Sequence, residues 1–121
     1  MATRSSIAIM EPNGNIRGIY CHWDGDSIGK ILKEHYPDSD AVRALIDQGD
    51  ASQIRETIEK SVFYRRDKGE SLAQTETSYE PNFASFMECY CAEYNYLFID
   101  GEWRTFTEYE ALQIKHGEAR L

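Results

Sequence analysis

The chain has 121 residues and a formal net charge of −8, from 21 acidic and 13 basic side chains. This length predicts a single domain, residues 1–121, with its own core, and the acid excess argues against direct nucleic-acid binding, which needs clustered Lys and Arg. No charged-then-apolar leader opens the chain, no apolar run is long enough for a membrane span, and three cysteines cannot all pair, so the sequence predicts a cytoplasmic protein without membrane contact.

Two β-branched, apolar runs near the start, residues 6–10 and 16–21, predict two strands. Between them lies Asn13-Gly14, a dipeptide typical of the tight turn of a β-hairpin. We therefore expect the first two strands to pair antiparallel.

The first helix is predicted after Ser27, whose hydroxyl suits an N-cap, and before Pro37, which ends it. Four side chains recur at helical spacing and form its apolar face: Ile28, Ile31, Leu32 and His35. This face is expected to pack on a sheet.

Two further helices are predicted between residues 38 and 58. Asp38 or Ser39 caps the first of them, which runs through Asp47 and carries an apolar stripe of Val42, Leu45 and Ile46. Asp50 and Gln53 have the spacing of a capping box, which predicts a helix with Ile54 and Ile58 on one face.

Residues 62–80 give weaker local signals than the segments before and after them. Residues 62–65 favour a short strand. Residues 67–80 are rich in Gly, Ser, Thr, Gln and Glu, which predicts a mobile loop or a weak edge hairpin. A further helix is predicted from Pro81-Asn82 onward, because four aromatic side chains and a methionine recur at helical spacing over about three turns, at positions Phe83, Phe86, Met87, Tyr90 and Tyr94.

A second hairpin is predicted over residues 96–106, with Asp100-Gly101 as its two-residue turn. This register places two pairs of residues opposite each other: Phe98 with Trp103, and Tyr96 with Thr105.

Thr107 and Glu110 then form a capping box for a terminal helix, and residues 117–121 are expected to fray. Together the elements predict an α+β fold, with an antiparallel sheet built from the two β-hairpins. The helices that begin near Ser27 and Asn82 are expected to cover one face of that sheet.

The segment Ile19-Tyr20-Cys21-His22-Trp23-Asp24-Gly25-Asp26 is the strongest candidate for a binding site. It brings an imidazole, an indole and two carboxylates to a strand-to-helix junction, where loops commonly hold ligands on a rigid scaffold. A structural corner is the alternative, because Trp and His are often half-buried and Asp-Gly-Asp-Ser is ordinary turn chemistry. The basic cluster Arg65-Arg66-Asp67-Lys68 is either a solvated loop or a site for a small anion.

Metal binding and catalysis have little support in the sequence. Cys21 and His22 are adjacent on a strand and point to opposite faces, whereas Cys89 and Cys91 diverge on a helix, so a zinc site is not expected. A phosphate-binding P-loop and a dinucleotide GxGxxG are both missing, and no third residue is identified that would orient a Cys–His pair. The sequence therefore predicts a binding protein without catalytic residues, metal or cofactor.

Several short segments resemble, in their order, a family of small phage, prophage and plasmid proteins that open with Ser/Thr-Arg-Ser and carry an IYCHWDG motif. The matching residues are 3–8, 19–25, 29–30, 34–36, 64–70, 93–98 and 101–103. This family is similar to the one that contains the phage anti-Thoeris nucleotide sponges, which bind cyclic ADP-ribose isomers made by a bacterial TIR enzyme. Asp26 departs from the pattern, because an aromatic residue and a longer insert are expected there in relatives.

The resemblance implies a phage anti-defence protein in the host bacterial cytoplasm, a homo-oligomer that sequesters a small nucleotide second messenger without cleaving it. Such a ligand carries an adenine face and a pyrophosphate, so its pocket needs an aromatic platform, guanidinium donors and polar partners for the hydroxyls. Nine residues are candidates: Trp23, Phe83 and Trp103 as platforms, Arg4, Arg66 and Arg104 as donors, and Asp24, Asn95 and His22 as hydroxyl partners.

Two other functions stay open at the level of sequence. The net charge of −8 suits an acidic, protein-binding inhibitor of a host defence complex, similar to an anti-CRISPR protein that imitates nucleic acid. An enzyme that cleaves a nucleotide signal is the third reading, and it has the least support.

Overall fold

A computed structural model describes residues 3–71, 77–88 and 92–115 of the chain. The strands within these ranges are β1 (Ser5–Met10), β2 (Ile16–Cys21), β3 (Ala51–Gln53), β4 (Val62–Phe63), β5 (Ser78–Glu80), β6 (Tyr94–Ile99) and β7 (Glu102–Thr107). The helices are α1 (Ile28–His35), α2 (Ser39–Ile46), α3 (Tyr64–Lys68), α4 (Phe83–Glu88) and α5 (Glu108–Lys115). The predicted mixture of helices and sheet is confirmed.

All seven strands belong to one sheet, in the order β4-β3-β2-β1-β6-β7, with β5 also beside β2. The pairs β1–β2 and β6–β7 are antiparallel, but β1 is parallel to β6 and β2 is parallel to β3. The sheet is therefore mixed, and the purely antiparallel sheet predicted from the sequence is wrong. The long crossover between β2 and β6 carries the chain back to the same end of the sheet, which makes parallel pairing possible.

The register between β6 and β7 is the one that the sequence predicts. Phe98 lies opposite Trp103 and Tyr96 opposite Thr105. The Phe98 and Trp103 rings meet edge to face, with centroids 5.3 Å apart. Asp100-Gly101 connects the strands, and both residues have positive φ, as a tight turn between twisted strands requires.

Helices cover both faces of the sheet, so the prediction of helices on one face is also wrong. Side chains alternate along β1: Ile7 and Ile9 pack with α1 and α2, whereas Ala8 packs with α4 and α5. Gly18 allows α4 to approach the sheet, because a Cβ there would lie 2.5 Å from the Phe86 ring. Among the described residues, no helix has the length and apolar content needed to cross a membrane.

Two predicted caps are confirmed by hydrogen bonds, and Asn82, predicted only as the start of a helix, also acts as a cap. Ala41 N donates to the Asp38 carboxylate at 2.9 Å, and Ser85 N donates to the Asn82 side chain at 2.9 Å. The capping box before α5 also forms, with Thr107 N donating to Glu110 Oε1 at 3.0 Å. In contrast, the Ser27 side chain does not cap α1, because its hydroxyl donates to the Asp24 carbonyl.

Other local predictions fail where a tertiary contact dominates. The helix predicted from Asp50 is wrong, since residues 51–53 form β3 and the Asp50 carboxylate accepts a hydrogen bond from Tyr20 N. His35 is exposed rather than part of the buried face of α1. Tyr94 belongs to β6 and not to the predicted aromatic helix. Tyr90, also predicted in that helix, lies outside the described residues.

The segment predicted as a loop or weak edge hairpin, residues 67–80, contains ordered elements at both ends. The helix α3 extends through Lys68, and β5 pairs with residues 16–18 of β2. The predicted frayed tail, residues 117–121, lies outside the described residues.

Candidate ligand-binding site

The chain turns sharply after β2 and builds an exposed corner there. We call Tyr20, His22, Trp23, Asp24 and Arg55 the β2 corner. His22 N and Trp23 N donate to the carbonyls of residues 51 and 52, each at 3.0 Å, so the corner is fastened to β3. Its backbone is therefore held on the sheet, as a preorganised site requires.

Three rings of the β2 corner form one aromatic group. The Tyr20 hydroxyl lies 2.7 Å from Nδ1 of His22. The His22 and Trp23 rings meet edge to face at 88°, with centroids 4.8 Å apart. Trp23 keeps 41% of its surface exposed, so this indole is available to stack against a planar ligand.

Asp24 has two roles in the corner: its backbone begins α1, and its carboxylate forms an ion pair. Its φ is 60°, and its carbonyl accepts hydrogen bonds from Ser27 N at 2.9 Å and Ile28 N at 3.2 Å, which starts α1. Its carboxylate lies 3.6 Å from Arg55 Nη1, in a pair whose side chains are 50% and 37% exposed. Because so exposed an ion pair is weak, a ligand phosphate can replace the carboxylate on Arg55.

Gly25 brings the start of the chain against the corner. Its N–H donates to the carbonyl of Thr3 at 2.8 Å, and a Cβ at this position would lie 2.7 Å from the same oxygen. Arg4, which follows Thr3 in the chain, is close enough for its charge to act on Tyr20. The Arg4 guanidinium is 4.0 Å from the Glu93 carboxylate at an exposed site, so it forms a second cation beside the corner.

Cys21 lies beneath the corner as a buried thiol. Its Sγ faces the carbonyl of Trp23 at 3.5 Å and that of Ser52 at 3.8 Å. Burial raises the pKa of this thiol to about 11, which disfavours the thiolate that nucleophilic attack or metal binding requires. Within the described ranges, no group of three or more His, Cys, Asp or Glu side chains is placed to hold a metal.

Three predicted site residues belong to the core or pack against it. Phe83 is 2% exposed and packs on Phe106, with centroids 5.4 Å apart, so its ring cannot stack a base. Asn95 is 2% exposed and accepts a hydrogen bond from the Ser6 hydroxyl at 2.7 Å. The Trp103 indole donates to the carbonyl of Tyr36 at 2.9 Å, which fixes its ring on the core. Burial keeps Phe83 and Asn95 from contacting a ligand, whereas Trp103 is half-buried and its indole N–H is already bonded.

The Arg66 guanidinium already has partners within the protein. It donates to the carbonyls of Ile58 at 2.9 Å and Ser61 at 2.6 Å and to the Asp67 carboxylate at 2.9 Å. Its Cζ lies 5.0 Å from the centroid of the Phe63 ring. The predicted role of holding a phosphate would require these bonds to break.

Arg104 and Asp26 lie away from the β2 corner. Arg104 is on β7, the strand at the opposite edge of the sheet, across from Leu97. Asp26 lines a different groove, of 440 Å³, between α1 and β6–β7, together with Lys30 and Lys33. Of the nine predicted residues, the structure thus brings together His22, Trp23, Asp24 and the nearby Arg4.

The corner contains two residues that sequence reasoning did not assign to a site. Tyr20 lies inside the segment that the sequence singled out, but only the pairing of its hydroxyl with His22 gives it a role. Arg55 was hidden by the wrong helix from Asp50, and no local pattern links it to Asp24, 31 positions earlier. Comparison of the chain with family models, curated proteins and solved structures gives no match.

Proposed function

We propose that the protein binds a small anionic nucleotide at the β2 corner and sequesters it without cleaving it. The observation that carries this proposal is the exposed Trp23 indole, which meets the His22 ring edge to face and is followed in the chain by Asp24, whose carboxylate lies 3.6 Å from Arg55 Nη1. A purine stacks on such a ring, and a phosphate accepts hydrogen bonds from such a cation. The corner therefore offers both halves of nucleotide recognition.

A cyclic ADP-ribose isomer is the ligand that this proposal favours. It presents an adenine to Trp23 and a pyrophosphate to Arg55 and Arg4, and its ribose hydroxyls suit the exposed Asp24 carboxylate. The resemblance to the anti-Thoeris sponges supports the same choice. It also supports a phage protein that acts as a homo-oligomer in the bacterial cytoplasm.

Sequestration is favoured over cleavage by the state of the nearest thiol. Cys21 is buried and its pKa is raised to about 11, so it is a poor nucleophile. A release experiment distinguishes the two activities. The protein is incubated with a TIR-derived cyclic ADP-ribose isomer, and the nucleotide is measured before and after heat denaturation. Intact nucleotide returned by heating supports sequestration, whereas destroyed nucleotide indicates an enzyme.

The net charge of −8 favours a second candidate, the acidic inhibitor that binds a basic groove of a host defence protein. The same experiment addresses it. If the protein never depletes the free nucleotide, the nucleotide-binding proposal fails and the acidic inhibitor takes its place.

A further inference from the structure

The Tyr20–His22 pair has a feature that the proposed function leaves unexplained. The two residues are two positions apart, so their side chains leave the chain on the same face, and the hydroxyl lies 2.7 Å from Nδ1 of the imidazole. Tyr20 is itself fixed, because its N–H donates to the Asp50 carboxylate at 2.9 Å. The phenol thus extends from a fixed backbone to one particular ring nitrogen.

The opposite ring nitrogen of His22 is open. Among the described residues, none hydrogen-bonds to Nε2. The one side-chain polar atom of these residues that is both fully buried and unpartnered is Ser5 Oγ, so Nε2 is not fully buried. An unpartnered Nε2 is therefore in contact with solvent. The edge-to-face contact with Trp23 places this nitrogen's ring against the indole that we propose as the platform.

We infer that Tyr20 is a positioning residue that holds neutral His22 with its proton on Nε2, so that the corner offers the ligand an N–H donor. When a phenol donates to Nδ1 of a neutral imidazole, the ring proton must be on the other nitrogen. Burial raises the pKa of the Tyr20 phenol, which keeps its hydroxyl proton in place.

This inference rests on the proposed function for its second part, the choice of ligand. A fixed Nε2–H recognises a hydrogen-bond acceptor, and phosphate oxygens are strong acceptors. It does not suit a metal ion, which needs the lone pair of a ring nitrogen. The His22 edge of the corner is therefore assigned to a phosphate oxygen, beside the adenine that stacks on Trp23.

The first test needs no ligand. Nitrogen-15 NMR of the free protein at about pH 8.5, above the ordinary histidine pKa, reports which ring nitrogen carries the proton. We expect protonated Nε2 in the parent. Tyr20→Phe should move the His22 ring signals. The control is Tyr64→Phe, which removes the hydroxyl of another tyrosine that acts electrostatically on Tyr20, and it should leave the His22 signals unchanged. A parent ring protonated on Nδ1, or equal spectra for both variants, would overturn the positioning role.

The second test measures affinity for a cyclic ADP-ribose isomer by calorimetric titration. His22→Ala should weaken binding about 10-fold, and His22→Gln, which retains an N–H donor, should recover most of the loss. Tyr20→Phe should weaken binding about 3-fold without a matching loss of thermal stability. If the parent binds no such nucleotide, the ligand assignment and the proposed function both fail, while the NMR result still decides the role of Tyr20. Binding that is unaffected by His22→Ala contradicts the ligand assignment alone.

Discussion

Replacement of Arg66 by alanine should destabilise the fold and leave nucleotide binding unchanged. The guanidinium joins three parts of the chain, because it donates to the carbonyls of Ile58 and Ser61 and to the carboxylate of Asp67. Asp67 in turn accepts a hydrogen bond from Phe63 N at 2.8 Å, at the start of α3. Loss of Arg66 therefore removes one donor from each of two carbonyls and a carboxylate. The Ile58 carbonyl keeps the Ser61 N–H and the Asp67 carboxylate keeps the Phe63 N–H.

The size of the effect follows from these bonds. A hydrogen bond contributes about 0.5–1.5 kcal/mol to the free energy of unfolding, and more when one partner is charged. The Arg66 side chain is 35% exposed, so water replaces part of what is lost. We expect Arg66→Ala to lower the free energy of unfolding by about 2 kcal/mol, which for a domain of this size lowers the Tm by several degrees.

Urea denaturation followed by circular dichroism measures this loss. Arg65→Ala is the matched control, because Arg65 donates one hydrogen bond, to the carbonyl of Asp47 at 2.8 Å, and should cost less than half as much. The reasoning is refuted if Arg66→Ala is as stable as the parent. A stable Arg66→Ala protein that has lost nucleotide affinity would return Arg66 to the binding site.

Three further predictions concern the core and the pH dependence. Burial raises the pKa of Asp50 to about 6 from an ordinary 3.8, so the folded state holds its proton more tightly than the unfolded state. The free energy of unfolding should therefore fall by about 1–2 kcal/mol as the pH rises from about 4 to 6. Thermal melts across this range should show that loss in the parent and not in Asp50→Asn. Gly18→Ala should cost about 2–3 kcal/mol in denaturation experiments, because the new Cβ meets the Phe86 ring at 2.5 Å, and Phe86→Leu in the same chain should restore part of it. Cys21 should resist iodoacetamide at about pH 8 until urea unfolds the protein, as peptide mass spectrometry would detect; rapid labelling of the native protein would contradict its burial.

Local signals predicted the turns and caps because their causes lie within a few residues. Asp100-Gly101 tolerates the positive φ of its turn, and Thr107 and Glu110 bind each other across one helical turn. Asp50 and Gln53 have the same spacing but fail, because the Asp50 carboxylate binds the distant Tyr20 N–H instead. The same spacing of residues thus leads to a cap or to a tertiary contact, and sequence alone does not distinguish them.

The arrangement of the sheet depends on contacts that no local pattern contains. The parallel pairing of β1 with β6 joins residues about 90 positions apart, such as Ser5 and Tyr94. The packing of helices on both faces of the sheet likewise depends on contacts between distant residues. The sequence therefore predicted most elements but not their neighbours.

The residues of the candidate site were predictable only where they are neighbours in the chain. Trp23 and Asp24 were candidates at the level of sequence because the unusual residues of the corner are consecutive in the chain. Arg55 reaches them only through the fold, and Phe83, with a ring suited to stacking, is instead used by the core. Residue type predicts chemistry, whereas burial decides whether that chemistry is available.

The measurement that tests the central claim most directly is calorimetric titration of a cyclic ADP-ribose isomer into the parent, Arg55→Ala and Arg104→Ala. Arg55 belongs to the β2 corner and Arg104 lies at the opposite edge of the sheet, so the two variants remove the same charge from different places. Loss of a charge-assisted hydrogen bond to phosphate should weaken binding about 10-fold or more in Arg55→Ala, with Arg104→Ala within about 2-fold of the parent. A parent that does not bind, or equal affinities in both variants, would contradict nucleotide binding at the β2 corner.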